Sequence, residues 1–244
     1  YNIHSSRDDL RALGAVVRAE APDLLLVQEA PRRFRWRGKN ASLARRWGML
    51  HAGGGLWALG NSAFTTLRVG VRETWNVQFP LTPGRHMRGA VFMRCTVGRS
   101  RFIAVGTHLS LDATERVSQA QLLKEHLAGL DEPYLVAGDL NEEPGGGGWR
   151  TLADGLVDTA DAKECGDIFT YSCASPRRRI DGVFVDPRID VLDYRLIDSD
   201  LAKAMEEDVS KALTTTETQP APAADEASTC SRKLPRISSS RSRP

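Results

Sequence analysis

The order of the strand-like and helix-like segments is the feature that most restricts how this chain can fold. Segments with strand composition lie at 24–27, 62–79, 88–97, 102–106, 135–137, 180–185 and 191–197. Segments with helical periodicity or capping residues lie at 10–17, 42–47, 113–130 and 149–153. Asp112 with Glu115 forms a capping box at the start of the third. Because several strands follow one another without helices between them, a doubly wound parallel sheet fits poorly. The order predicts an α/β fold in which two mixed β-sheets pack face to face with helices outside.

The composition is that of a globular protein without a membrane-spanning segment. Of the 244 residues, 41% are hydrophobic and 26% are charged, which excludes disorder over most of the chain. No apolar run reaches the ~18 residues that a transmembrane helix needs. Four scattered cysteines do not make a disulfide scaffold. Cys165 and Cys173 could pair in an oxidising compartment, and two free thiols are an equal alternative. The chain begins at Tyr1, inside a strand-like segment, so its localisation stays open, with the cytoplasm favoured over secretion.

The charges are unevenly distributed along the chain. The net charge is only +2, yet residues 31–46 hold seven basic side chains and no acid, and residues 74–111 hold no acid either. A third basic cluster is at 177–179. Four tryptophans lie in or beside the first two stretches, namely Trp36, Trp47, Trp57 and Trp75. Basic side chains among stackable rings suit phosphate-containing partners, and segments 32–37 and 83–88 are candidates for a substrate-facing rim. A solvated Arg-rich surface is the alternative, and on charge alone it is the better explanation.

Polar side chains gather at the ends of the predicted strands, where a buried scaffold would present them at one edge. They are Asn2, His4, Glu29, His108, Asp139, Asn141 and Asp181. Each could be an ordinary turn former or a hydrogen-bonded strand end. Together they offer the oxygen ligands that Mg²⁺ or Mn²⁺ takes, with imidazole and amide donors for a phosphate. We therefore expect Glu29 to hold the metal ion and Asp139 to orient or deprotonate a water molecule. Asn141 and His108 would stabilise the charge that develops on phosphate.

Seven short motifs occur in order along residues 1–202. They are Tyr1-Asn2-Ile3-His4, Pro22-Asp23 with Val27-Gln28-Glu29, Gly60-Asn61, Arg88-Gly89, Gly106-Thr107-His108-Leu109, Gly138-Asp139-Leu140-Asn141 and Arg179-Ile180-Asp181. In this order they resemble the endonuclease/exonuclease/phosphatase superfamily, whose fold is that of pancreatic-type deoxyribonuclease. The resemblance implies a four-layer α/β sandwich and Mg²⁺-dependent hydrolysis of a phosphodiester or phosphomonoester by in-line attack of water. It also implies a phosphate-ester substrate, such as a nucleic acid, a nucleotide, an inositol phosphate or a phospholipid head group, and we expect a monomer.

The same resemblance implies roles for individual residues. Asn2 matches a first-strand residue near metal and phosphate, and Glu29 matches the metal-binding glutamate. His108 matches a histidine that contacts the phosphate. Asp139 and Asn141 match the pair that aligns the nucleophile and stabilises the transition state. The residues expected to line the substrate cleft are Asn61 and Arg88.

The resemblance breaks off near the end of the matching region. Asp181 corresponds to the aspartate that orients a final catalytic histidine, but no Ser-Asp-His sequence follows it. The closing strand of one sheet is missing as well. A replaced gene end is one explanation, and we favour it. The other is drift within the family, with His4 or His86 taking over the role.

These observations divide the chain into three parts. Residues 1–202 form the family domain, truncated at both ends, 203–213 form an amphipathic helical segment, and 214–244 form a disordered tail. The predicted function is that of a Mg²⁺-dependent phosphoesterase, impaired by loss of the final histidine. The alternative is a non-catalytic protein of the same fold that binds phosphate or nucleic acid, which would show salt-sensitive binding without turnover.

Overall fold

The computed structural model describes residues 1–6, 9–171 and 176–197, and these residues form two β-sheets. The strands of the first sheet are β1 (Leu24–Val27), β2 (Leu50–Gly54) and β3 (Ser62–Thr65). They pair antiparallel in the order β1-β3-β2. The strands of the second sheet are β4 (Gly70–Gln78), β5 (Gly89–Val97), β6 (Ser100–His108), β7 (Tyr134–Asp139), β8 (Val157–Asp158) and β9 (Asp181–Val185). Their order is β4-β5-β6-β7-β9-β8, and β6–β7 is the parallel pair in this otherwise antiparallel sheet.

The α-helices of the described residues pack on the outer faces of the two sheets. They are α1 (Leu10–Glu20), α2 (Trp36–Trp47), α3 (Ala113–Ala128) and α4 (Gly147–Ala153). The Asp112 carboxylate caps α3 by accepting hydrogen bonds from the N–H groups of Thr114 and Glu115, as the sequence predicted. Within the described residues, no helix combines the length and apolar character needed to cross a membrane.

Successive side chains of a strand point to opposite faces of its sheet, and they divide the apolar interior into three cores. In β1, Leu25 and Val27 pack with α1 and α2, whereas Leu26 points to the second sheet. In β5, Phe92 packs with α3, whereas Met93 lies in the core between the sheets. Because each strand contributes to two cores, the layers follow one another as helix, sheet, sheet and helix. The predicted four-layer α/β sandwich is confirmed.

Three neighbouring strands of the second sheet bring polar residues to one edge. His108 ends β6 and is paired in register with Asp139, which ends the parallel strand β7. Asp139 is paired in register with Asp181, which begins β9. Since β9 runs antiparallel to β7, its first residue lies where β7 ends. Residues far apart in the sequence therefore lie side by side at this edge.

The structure differs from the sequence prediction in several elements. The helix predicted at 42–47 begins earlier, at Trp36, after Arg35 in a left-handed conformation. The predicted strand at 62–79 divides into β3 and β4, and the Gly-containing strand β2 was missed. The prediction of a strand at 191–197 is wrong, since this segment joins neither sheet of the described chain. Two of its apolar residues, Tyr194 and Ile197, are buried without strand pairing.

Other predictions fall outside the described residues. They concern the missing closing strand and Ser-Asp-His sequence, the helical segment at 203–213 and the tail at 214–244. Cys173 is outside as well, while Cys165 carries a free thiol.

Candidate active site

The first strand-like segment of the chain links the two sheets at the polar edge. It is shorter than predicted, because only Asn2 forms a bridge, parallel to Gln28, before a turn at His4–Ser6. The Ile3 N–H donates to Gln28 O at 3.1 Å, and the Gln28 N–H donates to Tyr1 O at 2.9 Å. This pairing places the buried Asn2 side chain between Glu29, next to β1, and Asp139, at the end of β7.

The Asn2 amide connects the two carboxylates. Its Nδ2 donates to Asp139 Oδ2 at 3.3 Å and makes a weaker contact of 3.5 Å with Glu29 Oε1. Its Oδ1 accepts from the His4 N–H at 2.9 Å. The Ser5 hydroxyl donates to Glu29 Oε2 at 3.2 Å, and Glu29 itself has a left-handed backbone with φ 54°. The carboxylates predicted from the strand ends therefore do converge.

Asp139, Asn141 and His108 form a second, tightly connected group. The Asn141 N–H donates to Asp139 Oδ1 at 3.0 Å, which makes the Asx turn expected for Asp-Leu-Asn. The Asn141 Nδ2 donates to Leu109 O at 2.9 Å and lies 3.0 Å from His108 Nε2. The same His108 nitrogen is 3.6 Å from Asp139 Oδ2. Arg88 approaches the other side of the ring, with Nη1 3.3 Å from His108 Nδ1.

Burial controls the protonation of this group. Burial first and the nearby Asp181 charge second raise the pKa of Asp139 from 3.8 to about 7, against the hydrogen bonds from Asn141 and Asn2. Burial also lowers the pKa of His108 well below its usual value, assisted by the Arg88 charge. The site therefore holds a neutral imidazole beside a carboxyl group that can exchange a proton near neutral pH.

Thr170 holds the backbone at Asp181 in place, a contact that the sequence did not reveal. The buried Thr170 hydroxyl accepts from the N–H groups of Ile180 at 2.9 Å and Asp181 at 3.1 Å.

Arg179 was counted in a basic cluster, but its side chain is only 3% exposed. It pairs with Asp158 at 3.0 Å and Asp161 at 2.8 Å and lies over the Trp149 ring. A run of three arginines gives no signal that separates a buried member from its exposed neighbours.

The two residues expected in the substrate cleft differ in what they contact. Arg88 belongs to the site through His108, and burial lowers the pKa of its guanidinium. Asn61 is buried and uses Nδ2 on the backbone, donating to Ala58 O at 2.8 Å and Gly89 O at 2.9 Å. Asn61 therefore fastens the loop before β3 to the start of β5.

The donor set suits a hard cation. Glu29 and Asp139 supply carboxylate oxygens, and the shared Asn2 amide shows that both reach one place. The described residues contain no group of three or more His, Cys, Asp or Glu side chains that could enclose a metal ion. Mg²⁺ fits such a site, because it retains several waters and is often held by one or two carboxylates together with substrate phosphate. Asn2 turns its nitrogen toward the carboxylates, so ligation by its oxygen requires rotation of the amide and stays a prediction.

The described residues form a four-layer sandwich with carboxylate, amide and imidazole groups at one edge. The model of the Endonuclease/Exonuclease/phosphatase family matches residues 1–202, and the chain belongs to this family. Among the curated proteins, no sequence matches it.

Solved structures of the same fold include a phosphatase, a protein in complex with DNA and a catalytic domain with bound sulfate. A mannosyl-6-phosphatase from Bacteroides thetaiotaomicron is similar with a TM-score of 0.63 and 15% identity, covering 77% of this chain and 80% of that one. D. rerio TDP2 in complex with a single-strand DNA product has a TM-score of 0.60 and 16% identity, covering 81% and 89%. The human Nocturnin catalytic domain with bound sulfate has a TM-score of 0.56 and 18% identity, covering 74% and 76%. At these identities the likeness establishes the fold.

Proposed function

We propose that this protein is a Mg²⁺-dependent phosphoesterase that hydrolyses a phosphodiester or phosphomonoester by in-line attack of water. The observation that carries the proposal is the convergence of Glu29, Asp139, Asn141 and His108 at the edge where the two sheets meet. Family membership and the phosphatase among the similar structures support it.

Each residue of the site has a definable part in this reaction. Asp139, with its pKa raised to about 7, orients the attacking water and accepts its proton as the oxygen–phosphorus bond forms. Asn141 and the neutral His108 offer N–H groups to the phosphoryl oxygens, while the bond to the leaving oxygen breaks. The Arg88 guanidinium behind His108 compensates the negative charge of the phosphate.

The metal ion would be held by Glu29, with Asn2 beside it, and when bound it supplies Lewis-acid stabilisation of charge on phosphate. Burial holds the pKa of Asp139 high, and Asp181, in register with it, adds to this effect. Asp181 would also orient a final histidine if the chain had one at the family's position.

The test is hydrolysis of bis(p-nitrophenyl) phosphate with Mg²⁺ and after its removal by EDTA. We expect metal-dependent turnover by the wild type and a loss of about 10²–10⁴-fold in Asp139→Ala, the usual effect of removing a general acid/base. Asp186→Ala is the matched control, because Asp186 is also a buried carboxylate but follows β9 at the opposite end of the strand. Equal inertness of wild type and Asp139→Ala in Mg²⁺, toward this diester and toward the monoester p-nitrophenyl phosphate, would contradict the proposed hydrolysis.

A second candidate function is binding without catalysis. It is favoured by the lack of a Ser-Asp-His sequence after Asp181. A phosphate-binding pseudoenzyme would bind an anionic ligand with affinity that falls as salt rises, without turnover. Salt-independent binding would exclude it, and metal-dependent hydrolysis would make it unnecessary.

A further inference from the structure

Two loops beside the candidate active site present exposed aromatic rings. The first, loop 31–35, precedes α2, and the second, loop 55–61, joins β2 to β3. Phe34 in the first loop is 83% exposed, and Trp57 in the second is 56% exposed. Large rings left in water at this level suggest a partner that covers them.

The two loops contact each other on both sides of these rings. Arg32 Nη1 donates to Leu59 O at 3.0 Å. A side chain at Gly55 would meet the Trp36 ring at 2.4 Å, so the ring lies directly against the Gly55 backbone. Phe34 lies between Arg32 and Trp36, and Trp57 lies between Gly55 and Leu59. The segments that carry the two exposed rings are therefore in contact, and we call them the aromatic rim, defined as loops 31–35 and 55–61 with Trp36 and Arg37.

The aromatic rim adjoins the metal-binding side of the active site. The Ala30 N–H donates to Gly60 O at 2.8 Å. A Cβ atom on Gly60 would lie 3.6 Å from the Glu29 Cα. Asn61 then ties the end of the second loop to Gly89, next to Arg88. A polymer lying on the rim would thus extend directly into the site.

The rim is strongly basic. Between Glu29 and Glu73 the sequence has nine Lys or Arg residues and no Asp or Glu. Arg33, Arg35 and Arg37 are exposed, and within the described part of the chain none of the three is paired with a carboxylate. The Arg37 guanidinium lies 4.5 Å from the Trp36 ring centre, so stacking of planar groups already occurs on this surface.

We propose that the aromatic rim binds single-stranded nucleic acid, whose bases stack on Phe34 and Trp57 while its phosphates meet Arg33 and Arg35. The proposal deepens the phosphoesterase function and rests on it for the step in which a phosphate of the strand enters the Asp139 site. Unpaired bases expose the faces that stack on such rings, whereas a duplex keeps them covered. Arg on both sides of Phe34 disfavours insertion into a lipid bilayer, since both guanidinium groups would have to approach the apolar layer.

Binding is measured with the full chain by fluorescence anisotropy of a labelled oligodeoxythymidine of about 12 nucleotides, within the range that single-strand binding sites cover. EDTA is present, so that no hydrolysis occurs. We expect the wild type to bind, and Phe34→Ala and Trp57→Ala each to weaken binding by about 10-fold, the scale of one base–ring stack. The double variant Arg33→Gln/Arg35→Gln should lower the slope of log affinity against log salt by about 1.4, since each neutralised phosphate of a single strand contributes about 0.7.

The matched controls lie at the opposite end of the strands. Leu67→Ala removes an apolar side chain that is 90% exposed in the turn after β3, and Arg99→Gln removes a charge in the turn between β5 and β6. Both should bind the oligonucleotide as the wild type does. Circular dichroism shows whether each variant is folded.

Several results would overturn the proposal. The first is that the wild type and the Phe34→Ala/Trp57→Ala variant bind the oligonucleotide equally well. The second is that the wild type binds a duplex of the same length as well as the single strand. The third is that the wild type prefers phosphatidylserine-containing vesicles to the oligonucleotide and that the same variant loses vesicle binding. The last result would make the rim a membrane-docking surface. Oligonucleotide binding without Mg²⁺-dependent hydrolysis of any phosphodiester or phosphomonoester would refute the proposed function and leave the rim assignment standing. Metal-dependent hydrolysis together with unchanged oligonucleotide binding by the variant would refute the rim assignment only.

Discussion

Asp139 and Asp181 are register partners in β7 and β9, and Asp139 is buried. Burial and the second carboxylate make the ionised form of Asp139 costly, and hydrogen bonds from Asn141 and Asn2 offset only part of that cost. An uncharged residue at this strand end would make the folded protein more stable. We interpret the retained carboxyl as a group kept for chemistry at the expense of stability.

Replacing Asp139 by Asn should therefore stabilise the metal-free protein at neutral pH. The folded protein keeps the Asp139 proton up to about pH 7, whereas the unfolded chain loses it near pH 3.8. Wild-type stability accordingly falls as pH rises through this window, and the variant avoids that loss. We expect the free energy of unfolding of Asp139→Asn to exceed that of the wild type by roughly 2–4 kcal/mol at pH 8 and to match it near pH 4. Urea unfolding at a series of pH values measures the difference.

Asp186→Asn provides a control of opposite sign. The Arg188 side chain lowers the pKa of Asp186 by hydrogen bonding, so the ionised form of this carboxyl stabilises the fold. That contribution is present at neutral pH and is lost as pH falls through the lowered pKa. The variant should thus be less stable than the wild type at pH 7. A pH-independent effect of Asp139→Asn would contradict the account of the buried carboxyl.

At the level of elements, the site depends on how closely β6 and β7 approach each other. A Cβ atom on Gly138 would lie 2.0 Å from Thr107 O, so only glycine fits beside Asp139. Gly38, in the first turn of α2, has nothing within 4 Å of the position of its Cβ. A methyl side chain therefore fits at Gly38 but not at Gly138, although the sequence alone does not show this difference.

Alanine substitutions should separate these two glycines. Gly138→Ala must displace the β6 backbone and should lower the free energy of unfolding by about 1–3 kcal/mol. Gly38→Ala should raise it by about 0.5–1 kcal/mol, because alanine loses less backbone entropy in a helix. Urea denaturation curves of the three proteins check both signs. A stable Gly138→Ala protein would mean that β6 and β7 are not as close as described.

Sequence patterns predicted elements where a local cause dominates. The apolar residues of β1 and the cap of α3 at Asp112 are such cases. The start of α2 was missed, because its first turns are basic and Arg35 before them provides no capping side chain. The strand prediction for 191–197 failed for a different reason. Strand formation needs a neighbouring strand, which apolar alternation along one segment cannot show.

For the whole molecule, the decisive fact is that two sheets meet at one edge. Asn2 and Asp139 are 137 positions apart in the sequence, yet their side chains are hydrogen-bonded. The strand-end polar residues and the ordered motifs predicted a site at this edge, and the structure brings Glu29, Asp139, Asn141 and His108 together there. Thr170, which accepts from the Asp181 N–H, and Arg179, which pairs with Asp158, carry no signal of their own in the sequence, because their contacts arise from packing between distant segments.

Metal binding should be visible as a change in global stability. A ligand that binds only the folded state stabilises it, by about 2.7 kcal/mol at 100 times its dissociation constant. We expect Mg²⁺ to raise the melting temperature of the wild type and to have no such effect on Glu29→Gln. Glu125→Gln, on the exposed surface of α3, serves as the control and should respond like the wild type. A full response of Glu29→Gln would show that Glu29 does not hold the metal.

The proposed hydrolysis depends on Asp139 as the group that activates water. The most direct test is kcat/KM for phosphodiester hydrolysis by the wild type and Asp139→Asn in Mg²⁺ at the same neutral pH. We predict a loss of about 10²–10⁴-fold in a variant that is at least as stable as the wild type. Unfolding could not explain such a loss. Activity of Asp139→Asn within a few-fold of the wild type would contradict the assignment of this site.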